Sequence, residues 1–215
     1  MPAVPRHRQP IINTAVTLFR RQGYSRTGLN EIVDVSGAPK GSLYHYFPLG
    51  KSSIAVAAVK EAGVRVAATL AKLAEECRST GELLRRHAEL LSGWMRASGF
   101  RDGCPITTVL LELAPGDRDV AEAGRTAYRA RVSILAETLV ADGFQKSRAE
   151  ALAILCTSAL QGALIQARVE RSGRPIEITA SELAKLLDAA KSQDRRSAAA
   201  GTGGDLNQMS GERPG

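Results

Sequence analysis

The chain has 215 residues, of which 44% are apolar, and it carries a formal net charge of +7 with a pI near 9.7. That length and apolar content are enough for one large domain or two smaller ones with a packed interior. No stretch resembles a signal peptide or approaches 18 continuous apolar residues, so the sequence predicts a cytoplasmic protein without a membrane span. The positive charge favours a polyanionic partner but does not by itself separate nucleic acid from a membrane surface.

Apolar residues recur along the chain with the spacing of amphipathic helices, and the alternation typical of β-strands is nearly absent. The sequence therefore predicts an all-α fold. Three short helices form an N-terminal domain over residues 1–51, and longer helices form a second domain over residues 52–190. Residues 191–215 have lost the apolar pattern and are predicted to be disordered. The predicted helices cover residues 6–22, 27–36, 39–47, 52–78, 80–97, 106–114, 118–141, 147–172 and 179–190.

The second and third predicted helices are short and joined by a tight turn, which is the arrangement of a helix-turn-helix reader of the DNA major groove. Thr27 is predicted to cap the second helix, because its hydroxyl can accept hydrogen bonds from amides of the first turn. Pro39, whose missing amide costs nothing at a helix start, begins the third. Between residues 1 and 52 seven basic residues outnumber two acidic ones, so +5 of the chain's +7 lies in the segment that contains this motif.

The third predicted helix divides into an inner and an outer face. Leu43 and Phe47 are spaced to pack inward against the first helix. A helix that enters the groove needs side chains that hold phosphates and a few that contact bases, and Gly41 lets the backbone approach the duplex closely. Tyr46 is equally compatible with packing. The residues predicted to contact DNA are Thr27, Lys40, Gly41, Ser42, Tyr44, His45, Tyr46 and, as a phosphate contact past the break, Lys51.

The segment SGAPKGSLYHYFPLGK, with TGLNEIVDVSG and FRRQGY before it, resembles the DNA-binding domain of the TetR/AcrR family of transcriptional regulators over about residues 9–56. With Gly103-Cys104-Pro105-Ile106 further on, the chain is most similar to the LmrA/YxaF-like branch. The resemblance implies a homodimer whose three-helix heads bind a palindromic operator and whose helical bodies bind a small molecule and each other. It implies repression that is relieved when the small molecule binds. One residue more than is typical of the family separates the aromatic helix from Lys51.

The second domain is predicted to hold the small-molecule site between its helices, where an apolar lining with a few polar groups is typical of ligand pockets. The cluster around the break at Gly99 is the best candidate, because the resemblance places the pocket beside the long fourth helix and the helices after it. Trp94, the single tryptophan, is equally compatible with the core. The residues predicted to bind the ligand are Trp94, Met95, Phe100, Cys104, Thr107, Thr108 and Leu111.

No nucleophile, base and orienting residue can be assembled from the second domain, so the sequence does not predict an enzyme. The three cysteines (Cys77, Cys104 and Cys156) and the three histidines offer no metal-binding spacing, and no metal or cofactor is expected. Reduced thiols are the simplest interpretation. For Cys104, before a short helix, a packing or pocket-lining thiol is favoured and a redox-sensing cysteine is the alternative.

The eighth predicted helix has two apolar stripes, and a second stripe needs a second partner. Small residues on one stripe permit close approach of another helix. A two-fold interface made by this helix and the last one follows, and it resembles the family's four-helix dimer contact. A fully buried helix in a monomer is the alternative. The residues predicted at the interface are Leu155, Ala159, Gly162, Ala163, Gln166, Leu183 and Leu187.

Two other classes of function remain open. An architectural DNA-binding protein without a ligand would show little selectivity for one operator. An enzyme on a helical scaffold would need a polar catalytic cluster in the second domain. The sequence favours a ligand-responsive transcriptional regulator, most simply a repressor, whose partners are double-stranded operator DNA, a small-molecule effector and a second copy of the chain.

Overall fold

The computed structural model describes residues 6–201, with side chains as far as residue 192. Over these residues the chain forms helices and no strands, so the predicted all-α fold is confirmed. The helices are α1 (Arg8–Gln22), α2 (Leu29–Ser36), α3 (Lys40–Tyr46), α4 (Lys51–Glu76), α5 (Thr80–Ala97), α6 (Pro105–Leu113), α7 (Arg118–Ala141), α8 (Lys146–Glu170) and α9 (Arg174–Gly201).

The first three helices form a small unit, here called the head, and α5–α9 form the body. Phe19 of α1, Ile32 of α2 and Leu43 of α3 are fully buried in the head. The same apolar cluster continues into α4 through Ile54 and into α6 through Val109. The head therefore shares part of its core with the body, and α4 joins the two as a continuous helix.

A second apolar cluster fills the body, with Leu84 of α5, Leu139 of α7 and Leu152 of α8 among its buried members. The long helices α4 and α7 pack very closely at one point. A Cβ atom added at Gly63 would lie 2.8 Å from the Cβ of Ala127, closer than such atoms approach in proteins. Glycine at this position therefore permits the contact between the two helices.

The last helix is longer than predicted at both ends. It begins at Arg174, with Pro175 in its first turn, and it continues to Gly201. The disorder predicted from residue 191 is therefore wrong for residues 191–201, and residues 202–215 lie outside the described residues. The apolar pattern does stop near residue 190, but the following KSQDRRSAAA is rich in residues with favourable helix propensity.

The prediction that Thr27 caps α2 is also wrong. The N-cap is Gly28, and Thr27 is 1% exposed. Its hydroxyl donates a hydrogen bond to the carbonyl oxygen of Gly23 at 2.8 Å, which ties the end of α1 to the start of α2. The carboxylate of Glu31, in the first turn of α2, accepts a 3.5 Å hydrogen bond from the Gly28 amide instead.

Helix α8 contains a long apolar stretch. By length and composition alone it meets the requirements for crossing a membrane, and 44% of its most apolar window is buried inside the protein. The buried part, which includes Leu152, Cys156 and Leu160, belongs to the body core. Because a core helix satisfies the same length and composition test, this is weak support for a membrane span.

Candidate nucleic-acid interface and ligand cavity

Helix α3 is fixed in the head by its inner face. Leu43 is fully buried and Phe47, which ends the helix, is 3% exposed, so both predictions of inward packing are confirmed. The Arg8 guanidinium lies 5.7 Å from the centroid of the Phe47 ring, within the range of a cation–π contact. These contacts orient the short helix and leave its opposite face toward solvent.

The outer face of α3 presents Lys40, Gly41, Tyr44 and His45, all exposed. A Cβ atom at Gly41 would meet nothing within 4 Å, so the chain itself does not require glycine there. Ser42, at the margin of this face, is half-buried. The four exposed residues are available to a partner as the sequence predicts.

Tyr46 lies at the other margin of α3, and its side chain packs against the head instead of pointing into solvent. Its ring meets the His45 ring edge-on, with centroids 5.0 Å apart, and it is half-buried against the apolar cluster of the head. The ring therefore helps to hold His45 in place on the outer face.

Two of the residues predicted to contact DNA make contacts within their own chain instead. Thr27 is buried, as described above. The ammonium of Lys51 donates to the carbonyl oxygen of Ser25 at 3.4 Å and lies 4.2 Å from the centroid of the Tyr24 ring. Burial lowers the pKa of Lys51, and nearby Glu112 opposes that shift. Lys51 thus clamps the α1–α2 turn onto the start of α4.

The α1–α2 turn is also held from the body by one carboxylate. Glu112 of α6 accepts hydrogen bonds from the backbone amides of Tyr24, at 2.7 Å, and Ser25, at 2.8 Å, and from the Ser25 hydroxyl. Burial acts to raise the pKa of Glu112, but these hydrogen bonds and the Lys51 ammonium outweigh it and lower the pKa from its ordinary 4.5. An ionised Glu112 therefore fixes the turn that leads into the helix-turn-helix.

The end of α1 is bound to the loop between α5 and α6. Asp102, 8% exposed, lies 2.9 Å from Nε of Arg20 and 3.3 Å from Nε of Arg21. The Gly103 amide donates to the Arg20 carbonyl oxygen at 2.8 Å, and Arg168 of α8 donates to the Arg21 carbonyl oxygen at 3.1 Å. Head and body are thus joined by ion pairs and backbone hydrogen bonds as well as by α4.

A cavity of 470 Å³ lies directly behind this junction, between α1, α4, α5, α7 and α8. Arg20, Arg21 and Asp102 form part of its wall. Three of the predicted ligand-binding residues also line it, namely Trp94, Met95 and Cys104. Trp94 is 53% exposed and therefore does not fill the core.

The other four predicted ligand-binding residues do not line this cavity, and three of them lie on α6, of which only Pro105 reaches the cavity wall. The Thr107 hydroxyl is hydrogen-bonded with Tyr128 of α7 and Gln161 of α8. The Thr108 hydroxyl donates back to the carbonyl oxygen of Cys104 in its own helix. Leu111 is 73% exposed, and Phe100 packs at the margin of the body core.

Two buried polar residues of the cavity wall were not predicted. Arg131 of α7 is 6% exposed and His87 of α5 is 3% exposed. Burial, assisted by the nearby Arg131 charge, lowers the pKa of His87 to about 3, so this imidazole is neutral at physiological pH. Both residues lie on otherwise apolar stripes, Arg131 between Ala127 and Leu135. A polar or charged residue on such a stripe can be recognised in the sequence and would have identified them.

Comparison with known proteins agrees with this division into a DNA-binding head and a helical body. Residues 11–58 match the model of the tetR family of bacterial regulatory proteins, and residues 80–182 match that of the LmrA/YxaF-like C-terminal domain of transcriptional regulators. An HTH-type transcriptional regulator of Mycobacterium tuberculosis is 34% identical over 186 residues, which cover 84% of this chain and 93% of the relative. The chain belongs to the TetR family of transcriptional regulators.

Further relatives of this TetR family regulator support the same assignment. The HTH-type transcriptional regulator LmrA of Bacillus subtilis is 31% identical over 180 residues, which cover 84% of this chain and 96% of LmrA. The crystal structure of a regulatory protein TetR from Rhodobacter sphaeroides superposes with a TM-score of 0.74 at 21% identity, over 83% of this chain and 97% of the other. The latter likeness establishes the fold.

The regulator exposes an apolar face on α8 and α9. Of the predicted interface residues, Leu155 and Gln166 are exposed on this face, and Gly162 lies there with nothing within 4 Å of an added Cβ. Ala159 is half-buried at the margin of the core. The face also carries exposed apolar side chains that were not predicted, Ile154, Ile165, Val169 and Leu186.

Three predicted interface residues lie instead inside the regulator's own core. Ala163, Leu183 and Leu187 are at most 7% exposed and belong to the apolar cluster of the body. Their assignment to the interface is corrected because the inner stripes of α8 and α9 pack against each other and against α5. The outer stripes are the ones left for another molecule.

The body of the regulator offers no metal-binding cluster among the residues that the structure describes. Its three cysteines are free thiols, and burial raises the pKa of Cys156 to about 11. Cys104 is half-buried at the cavity, where the amide of Gln161 lies 3.8 Å from its sulfur. The placement fits the pocket-lining role that the sequence favoured for this thiol.

Proposed function

We propose that this regulator is a ligand-responsive repressor that binds a palindromic operator as a homodimer and is released by a small-molecule effector. The observation that carries the proposal is the position of the body cavity. Its wall contains Arg20, Arg21 and Asp102, the same residues that bind the head to the body. A molecule that enters the cavity therefore contacts the junction that positions the helix-turn-helix.

DNA is contacted, in this proposal, by the outer face of α3. Lys40 holds a phosphate, Tyr44 and His45 reach phosphates or base edges, and Gly41 allows the backbone to come close. Tyr46 positions His45, whereas Thr27 and Lys51 keep the head in shape through bonds within the chain. One head makes few contacts, so high affinity depends on two linked heads on one palindrome.

The two copies meet through the exposed apolar face of α8 and α9. An interface of this kind buries Leu155, Ile165, Val169 and Leu186, which one copy leaves in solvent. The absence of a side chain at Gly162 permits close approach of the partner helix. Contact of identical faces gives the two-fold symmetry that a palindromic operator requires.

Release follows from a change in the separation of the heads. A ligand that fills the cavity alters the position of α4 and of the end of α1, and the two heads move relative to the half-sites. Each base contact is worth about 1–3 kcal/mol, so the loss of a few is enough to lower affinity by orders of magnitude. The regulator acts in the cytoplasm, where its operator lies.

Footprinting of the regulator's own promoter region, with a scrambled duplex as competitor, tests operator binding. We expect a protected palindrome that the scrambled duplex does not compete away. Equal binding to both duplexes would favour an architectural DNA-binding protein. A subsequent screen for molecules that abolish the footprint tests the ligand response. If the operator stays protected in the presence of every molecule that binds in the cavity, the ligand response is contradicted.

Assembly is tested by light scattering on Ile165→Glu, with Leu111→Glu as the matched control. Both residues are exposed and apolar, at 55% and 73%, but Leu111 lies on α6, away from the proposed interface. We expect the Ile165 variant to be a monomer under conditions where the wild type and the control are dimers. A dimeric Ile165→Glu protein would place the interface elsewhere.

A further inference from the structure

One buried cation in the cavity, Arg131, has no counter-ion among the residues whose side chains the structure describes. Arg131 forms no salt bridge and donates no side-chain hydrogen bond to any residue between 6 and 192. The titratable groups that act on it are Cys104 and Tyr128, together with neutral His87, and none is a carboxylate. Arg131 as a residue is 6% exposed, and a guanidinium buried to this extent without a counter-ion is costly, so a partner that enters the cavity would offset the cost.

The remaining charges of the cavity wall do not supply that partner. The lining contains four arginines and one carboxylate. That carboxylate, Asp102, is already bound by Arg20 and Arg21. The fourth arginine, Arg65, is paired with Glu61 at 2.8 Å. The wall therefore carries surplus positive charge, and Arg131 is its most buried source.

The rest of the lining is suited to an apolar molecule. Val16, Val66, Leu91, Met95 and Leu164 surround the space with hydrocarbon. Neutral His87 can exchange a hydrogen bond with a ligand without adding charge. The cavity volume of 470 Å³ lies within the range of pockets that bind drug-sized molecules and is too small for a macromolecular polyanion.

We propose that the effector of this regulator is an amphipathic organic anion, with an apolar body in the cavity and a carboxylate, sulfonate or phenolate group bound by Arg131. The inference rests on the proposed ligand-responsive function and names the chemical class of the ligand. Arginine suits this task because its planar fork binds two oxygens of an acid group at once and stays charged when buried. His87 assists by a neutral hydrogen bond to the ligand.

Two fluorescent probes of nearly the same shape separate charge from shape. 8-Anilinonaphthalene-1-sulfonate is an anion, and N-phenyl-1-naphthylamine has the same aromatic skeleton without the sulfonate. Their dissociation constants are measured by titration of the purified full chain in the absence of DNA, for the wild type and for Arg131→Met. Arg129→Met, an exposed position on the same helix, removes the same charge as a matched control.

We expect the preference for the sulfonate over the neutral probe to fall by about tenfold or more in Arg131→Met, the loss typical of a charge-assisted hydrogen-bonded pair. The preference stays within about twofold in Arg129→Met, since a screened surface charge contributes little. In Arg131→Lys, which keeps the charge but loses the planar fork, the preference for the sulfonate should lie between those of the wild type and Arg131→Met. This variant takes the place of Arg131→Met in the test if the methionine variant does not fold. An unchanged preference in both Arg131 variants overturns the proposal.

Thermal unfolding without ligand gives an independent result. Because an unpaired buried charge is removed, Arg131→Met melts at the same or a higher temperature than the wild type. A clear decrease would mean that Arg131 has a structural role, and would also overturn the proposal. Release of operator DNA by the sulfonate is measured separately. If the probe binds through Arg131 but the protein stays bound to the operator, the proposed ligand-responsive function is contradicted, whereas the proposed anion-binding site is supported.

Discussion

The front and the back of the head use polar residues in opposite ways. On the front, Lys40, Tyr44 and His45 are exposed on α3. On the back, Arg20, Arg21 and Lys51 are bound by oxygen atoms of the chain. Residues of the front contribute little to the fold and are free to bind DNA, whereas residues of the back hold the head in place. Variants of the two sides should therefore affect different properties.

The largest effect is expected for the front of the head. Lys40→Ala and Tyr44→Ala should each lower operator affinity by about thirtyfold or more, because each contact is lost from both half-sites and is worth about 1 kcal/mol or more. Lys40→Ala should also reduce the dependence of affinity on salt by about one released counterion per head. Fluorescence anisotropy over a salt series measures both quantities.

The control for this prediction is Arg85→Ala, which removes the same charge from an exposed position of α5. It should leave operator affinity within about twofold, since exposed distant charges are screened. Melting temperatures of all three variants should match the wild type. Unchanged affinity in both α3 variants would contradict the assignment of α3 as the recognition helix.

On the back of the head, Asp102→Asn should lower stability more than DNA affinity. The change leaves Arg20 and Arg21 without their carboxylate, and we expect a loss of about 1–2 kcal/mol, because both arginine side chains remain partly exposed. For a chain of this length that corresponds to roughly 4 °C in Tm, measured by differential scanning calorimetry. Asp188→Asn, on the exposed side of α9, is the control.

The same Asp102 variant separates binding from regulation. Operator affinity should change less than about threefold, since no DNA contact is removed. Release of the operator by a ligand should weaken, because the junction between cavity and head is loosened. A loss of operator affinity as large as that of Lys40→Ala would mean that the two sides of the head are not separable.

A smaller effect on the back of the head depends on pH. The pKa of Glu112 is lower in the folded chain than its ordinary 4.5, so its stabilising contribution is complete above about pH 4.5 and is lost as the pH falls through the folded-state value. Melting curves between pH 7 and pH 3 should therefore fall more steeply for the wild type than for Glu112→Gln. Glu89→Gln, exposed on α5, should follow the wild type. Parallel curves for the wild type and Glu112→Gln would contradict this role of Glu112.

The smallest effect is expected for Lys51. Its ammonium is bound to Ser25 and Tyr24, so Lys51→Ala removes a cation–π contact of about 0.5–1 kcal/mol and one hydrogen bond rather than a phosphate contact. Operator affinity, measured by anisotropy beside Lys40→Ala, should fall by less than about threefold. A decrease equal to that of Lys40→Ala would show that Lys51 leaves this clamp to bind DNA.

Helix positions were largely predictable because local signals mark them. Helix α5 begins after Ser79, whose hydroxyl accepts from the Glu82 amide, and α7 begins after Asp117, whose carboxylate accepts from two amides. Both helices have the predicted bounds. The start of α9 was predicted at residue 179, whereas the helix begins at Arg174 with Pro175 in its first turn, where proline is well tolerated.

The ligand cavity was only partly predictable, since its wall is assembled from distant segments. Met95 and Cys104 were identified from their position near the Gly99 break. Thr107 and Leu111 were not excluded, because the rotation of α6 about its axis depends on how Ile106 and Val109 pack into the core. Arg131 carried a visible signal, a charge on an apolar stripe, but its meaning depends on an empty space that no local pattern reveals.

The close contact between Gly63 of α4 and Ala127 of α7 makes that point a fulcrum. Only the methyl group of Ala127 lies between the two helix backbones there, so a tilt of α4 about the contact would disturb the packing less than a separation of the two helices. At a rise of 1.5 Å per residue, the head end of α4 at Lys51 is about 18 Å from Gly63, and a tilt of about 6° moves it by about 2 Å.

The cavity wall begins beside this fulcrum, at Ala62, and continues to Arg131, one turn beyond Ala127. In the proposed ligand response, a molecule bound there would tilt α4 about this contact, and the displacement would be largest at the head end of the helix. Gly63→Ala, which forces α4 and α7 apart at this contact, is then expected to change the response to ligand while leaving the DNA face of α3 intact. A ligand that tilts α4 by this amount would thus displace the head by a distance comparable to that which separates a base contact from its loss.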